Sequence, residues 1–124
     1  MEGLTPVQIS ELVTLLDDAI LTRDDWLNGE KGDVRAALEN EIDHLEAELA
    51  WIQWMRENYP GHEENGFPGL AVEEHIQGMR AGIKRWRAKL RREGADENYI
   101  QSLKNSIQIV GQILAIFERV RGVE

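Results

Sequence analysis

The chain has 124 residues, 42% of them hydrophobic and 30% charged, with a formal net charge of −9 and no cysteine. That length and composition fit one globular domain over residues 1–124, and the missing cysteines exclude a disulfide framework and any thiolate zinc site. The negative charge makes nucleic acid and anionic membrane unexpected partners, and no apolar run reaches the roughly 20 residues that cross a bilayer.

The opening stretch, MEGLTPVQISELV, is acidic and lacks the basic region of a secretion signal, so a cytoplasmic location is expected. Within it, Thr5-Pro6-Val7-Gln8 reads as a helix start. Threonine caps, proline suits the first helical position, and glutamine closes a capping box. Ile9, Leu12, Val13, Leu16, Ile20 and Leu27 follow at helical spacing, giving a first helix at about 5–27. Asn28-Gly29 is expected to end it with a left-handed cap.

Asp33 is the expected N-cap of a second helix, about 33–59, with Val34, Leu38, Ile42, Leu45, Leu49, Ile52, Met55 and Tyr59 as its core stripe. On a wheel of about 100° per residue, Trp51 and Trp54 fall roughly 140–180° from the stripe's centre, beside Ala47 and Ala50. This second apolar face is either covered by a neighbouring helix or free to meet another molecule, since large exposed aromatics are enriched at interfaces.

The segment GHEENGFPG reads as a loop, with Pro68 in the first turn of a third helix, about 68–93, that Gly94 stops. Val72, Ile76, Met79, Ile83, Trp86 and Leu90 form its apolar seam. Charge is concentrated here. Residues 1–79 hold 18 acidic and 4 basic side chains, whereas residues 80–92 hold 7 basic and no acidic ones. Arg80, Lys84, Arg87 and Arg91 form one line beside the seam, and Arg85, Lys89 and Arg92 form another. Such a line either balances the acidic helices or binds an anion such as a nucleotide, with arginine offering paired donors.

Asp96 caps a fourth helix running to about 120. Residues 105–117 carry no charge, and the apolar arc that includes Ile109 and Ile116 spans about 200°, twice what one neighbour requires. The remaining face, Gln101, Asn105, Gln108 and Gln112, is polar but uncharged, and depletion of charge is typical of interface cores.

The expected fold is all-α: a four-helix bundle or two packed helical hairpins, of compact or elongated shape. No glycine-rich phosphate loop, H-E-x-x-H motif or nucleophile triad is present. Glu41-x-x-His44 has ligand spacing, but a two-metal site needs a second such motif, and the fourth helix offers no histidine. His62 with Glu63 and Glu64 reads as solvated polar loop. Neither an enzyme nor a bound cofactor or metal is therefore expected.

The expected function is protein–protein binding by a homo-oligomer acting as an adaptor, an inhibitor or an assembly component. Its interface would use Trp51, Trp54, Ala47, Gln101, Gln108, Gln112, Ile109 and Ile116. One alternative is an oligomeric protein that sequesters a phosphorylated small molecule or nucleotide on Arg80, Lys84, Arg87 and Arg91. The other is a metal-dependent carboxylate enzyme.

Overall fold

The computed structural model describes residues 3–91 and 96–121. The expected stop at Gly94, and Arg92 of the basic run, lie outside the described residues. The fold is an all-α bundle of α1 (Pro6–Leu27), α2 (Gly32–Asn58), α3 (His62–Asn65), α4 (Gly69–Leu90) and α5 (Glu97–Arg121). Two hairpins, α1 with α2 and α4 with α5, are joined by α5, which also packs on α1 and α2. With 27 residues, α2 is about 40 Å long.

Local chemistry sets the helix ends. Thr5 N–H donates to Gln8 Oε1 at 3.0 Å and Gln8 N–H donates to Thr5 Oγ1 at 3.2 Å, satisfying two otherwise orphaned donors. Asn28 is right-handed (φ −61°) and Gly29 has no positive φ, so the expected left-handed cap is absent. The positive φ falls instead on Gly32 (64°), the first residue of α2, and Lys31 stands at the N-cap with no side-chain cap, leaving Asp33 inside the first turn. Pro68 is the N-cap of α4 rather than part of its first turn, its ψ of 139° holding it extended. The Asp96 carboxylate accepts from Asn98 N–H at 2.9 Å at the start of α5.

The expected loop after α2 contains the single turn α3 and then closes one end of the core. Phe67 N–H donates to Leu4 O at 2.9 Å, and both side chains are buried. The approach requires glycine. At Gly66 (φ 73°) a Cβ would lie 1.9 Å from Leu4 O, and at Gly3 one would lie 1.8 Å from Phe67 O.

The core draws on every long helix: Leu12 and Leu16 of α1, Leu45, Ile52 and Met55 of α2, Val72 and Ile76 of α4, and Ile109, Ile113 and Phe117 of α5. Val34, expected in the stripe of α2, is 54% exposed, because the first turn of α2 holds none of the buried residues that begin at Leu38. The wide apolar arc of α5 has an internal cause. Three helices of the same chain press on it, so Ile109 is only 1% exposed and Ile116 packs against the core. Ile109 therefore belongs to the chain's own interior and not to a surface.

Polar contacts fix the register of the hairpins. Arg23 of α1 donates through Nε to Glu41 of α2 at 3.0 Å and through Nη2 to Gln112 of α5 at 3.0 Å. Asn40 Nδ2 of α2 donates to Ser106 Oγ of α5 at 2.8 Å. The part-buried Arg23–Glu41 and Asn40–Ser106 contacts penalise a shifted register, since a slip leaves their polar groups without partners.

Candidate functional site

The two predicted tryptophans part company. The ring of Trp51 stacks on His75 of α4 at 4.1 Å and 8°, and meets Phe67 and Phe117 edge-on at 6.0 and 5.6 Å. Trp54 is 54% exposed, and Ala47 and Ala50 on its face are exposed as well. Three residues along a helix carry a side chain through about 300°, about 60° short of a full turn. That rotation separates a ring covered by α4 and α5 from one left outside.

On the uncharged face of α5, Gln101, Gln108 and Gln112 are all exposed, and they differ in their partners. Gln112 accepts from Arg23, whereas Gln101 donates to Asn105 at 3.2 Å and Gln108 is exposed.

On one side of α4 lies a depression of about 380 Å³ lined by His44, Glu48, Glu74, His75, Arg85 and Trp86, opened by Gly78 and Gly82. His75 Nε2 and Glu48 Oε2 are 2.5 Å apart, and His44 meets Trp86 edge-on at 5.6 Å. Burial lowers the pKa of His44 from its ordinary value, against the raising effect of the Glu48 and Asp43 carboxylates. Glu41 and His44 do not converge: Glu41 is held by Arg23 of α1, and His44 faces Trp86 of α4. No group of three or more histidine and carboxylate side chains able to hold a metal forms among the described residues.

The other side of α4 forms a groove with α5. Arg80, Lys84, Arg87 and Arg91 all line it, together with Ile83, Ala88, Gly111 and Leu114, around a volume of about 580 Å³. From residue 80 to residue 91 the helix rises about 16 Å. The cations are exposed, and the buried Ile83 and half-buried Leu114 supply an apolar floor. Gly111 deepens that floor, since the space where its Cβ would stand is open. Arg80 donates to Glu118 of α5, whereas Lys84, Arg87 and Arg91 make no ion pair among the described residues. The basic line is readable from sequence because it lies on one helix. Its floor is not, because Gly111 and Leu114 come from another.

No helix among the described residues is long and apolar enough to cross a membrane. No protein-family model, no curated protein and no solved structure matches the chain.

Proposed function

We propose that the chain acts by binding rather than catalysis, and that the α4–α5 groove is its working surface, shaped for an acidic, amphipathic helical segment of a protein. The observation that supports this reading is the placement of Arg80, Lys84, Arg87 and Arg91 along one wall of a groove with an apolar floor. Cations spread over about 16 Å suit a ligand that presents anions at helical intervals, because one compact anion reaches only neighbouring members of such a line. An amphipathic helix sets its apolar side chains on the floor and its carboxylates against the rim. The exposed cations act mainly on association rate and salt dependence, and the floor supplies the slower dissociation.

Homo-oligomerisation belongs to the same reading, since Ala47 and Trp54 on α2, and Gln101 and Gln108 on α5, stand outside the chain's own packing. The cysteine-free sequence accords with a cytoplasmic location. One feature favours a second reading, a phosphorylated small molecule or nucleotide in the groove. Three of the four cations are arginines, whose forked donors match phosphate oxygens.

Fluorescence anisotropy with a labelled helical peptide carrying Glu and Leu at helical spacing separates the two. Binding that weakens with salt and disappears in the Lys84→Ala/Arg87→Ala/Arg91→Ala variant supports the protein-binding reading. Thermal stabilisation by nucleotide or inorganic phosphate, without peptide binding, replaces it with the second. Silence in both assays refutes the groove as a binding surface.

A further inference from the structure

We infer that the groove's occupant is the outer face of α1 from a second copy of this chain. This rests on the reading of the groove as a site for an acidic helix and names the helix. The outer face of α1 carries Glu11, Asp17, Asp18, Asp24 and Asp25, all exposed and none in an ion pair among the described residues. The helix's one basic residue, Arg23, is turned inward onto Glu41 with only 14% of its side chain exposed, so nothing on that face neutralises the carboxylates. Between the acidic pairs stands Leu21, an apolar side chain left 62% exposed.

The repeats on the two surfaces match. Asp17 and Asp24 are seven residues apart, as are Asp18 and Asp25. On α4 and its C-cap, Arg80 and Arg87 are seven apart, as are Lys84 and Arg91, with Arg80 also donating to Glu118. Each interval is about 10.5 Å of helix rise, so two acidic pairs on one helix register with two basic pairs on the other. Leu21 then sits at the centre of the acidic quartet, as Ile83 and Leu114 sit beneath the basic one. Packing of a leucine on that floor adds apolar burial to the charge pairing, which exposed ion pairs alone supply only weakly.

Within one chain the two surfaces do not meet: α1 packs on α2, α3 and α5, and the groove lies between α4 and α5. A chain with a net charge of −9 resists association with itself except where its one cationic strip meets its carboxylates. The contact joins two different surfaces, so it closes into a ring, or is exchanged reciprocally, or extends.

Sedimentation velocity of the full chain in about 50 mM and about 500 mM NaCl tests this. The expected result is a species heavier than the 14.2 kDa chain at low salt that dissociates at high salt. Two neutralised variants, Asp18→Asn/Asp25→Asn and Arg87→Gln/Arg91→Gln, change only exposed side chains, and each alone associates about tenfold more weakly. Mixed in equal amounts they associate again, through the intact α1 of one and the intact groove of the other. A monomer at high micromolar concentration in low salt overturns the inference, and so does association that both variants retain undiminished. If the monomer still binds the acidic helical peptide, only the self-docking inference falls. If it binds neither, the reading of the groove falls with it.

Discussion

Replacing Trp51 and Trp54 one at a time with alanine separates two rings that lie three residues apart. Trp51 loses a parallel stack on His75 and edge contacts with Phe67 and Phe117. Truncating a fully buried tryptophan costs about 3–5 kcal/mol, and each aromatic pair contributes about 0.5–1.5 kcal/mol beyond area burial. Trp51 is half-buried, which places the cost of Trp51→Ala near 3 kcal/mol. Trp54 is 54% exposed and no ring among the described residues stacks on it, so Trp54→Ala falls within about 0.5 kcal/mol of the parent. At roughly 4 °C per kcal/mol for a chain of this size, the expected fall in Tm is about 12 °C for the first and about 2 °C or less for the second. Urea unfolding followed by far-ultraviolet circular dichroism reads both, with an unchanged slope showing that the unfolded state is the same. Equal losses in the two variants would refute the packing assigned to α2, α4 and α5.

Arg23→Ala removes the shared donor of Glu41 and Gln112 and costs about 2 kcal/mol in urea unfolding. That is below the 3–5 kcal/mol of a fully buried pair, because the two charged side chains keep 14% and 17% of their exposure. A change under about 0.5 kcal/mol would show that the network does not hold the hairpins in register. Gly66→Ala drives a Cβ against Leu4 O at a positive φ, and calorimetry is expected to show at least about 2 kcal/mol lost; a neutral result contradicts the closure by Phe67. Burial lowers the pKa of His44, so between that depressed value and 6.5 the unfolded chain takes up a proton that the native chain refuses. Stability from His44 is therefore complete above about pH 6.5 and declines as the pH falls below it. The carboxylates of Asp43 and Glu48 act on the ring, and Glu74, His75 and Arg85 line the same depression. Urea midpoints at about pH 7 and pH 5.5 should converge in His44→Gln relative to the parent, and an equal drop in both proteins would dismiss His44 as the source.

What the sequence reveals depends on how far apart in the chain the partners lie. The all-α class is legible, because apolar spacing along each helix is a local pattern. The line of Arg80, Lys84, Arg87 and Arg91 is legible for the same reason. The floor of Gly111 and Leu114, and the pairing of Glu48 with His75, depend on which helices become neighbours, and no local spacing encodes that. The helix wheel places Trp51 and Trp54 together opposite the core stripe, yet α4 and α5 cover only one of them. The apolar arc of α5 suggests a surface for a second molecule, and its width comes instead from packing against three helices of its own chain. Gly66 reads as part of a loop, and its role appears only when Phe67 is seen bonded to Leu4.

The α4–α5 groove is tested most directly by amide chemical-shift mapping during titration with an acidic, amphipathic helical peptide. The expected result is a contiguous set of perturbed amides at residues 80–91 on α4 and at Gly111 and Leu114 on α5, weakening as salt is raised, with the Trp54 indole unmoved. Perturbation centred on Trp54 and Ala47, or on Gln101 and Gln108, with the groove unchanged, would contradict the account.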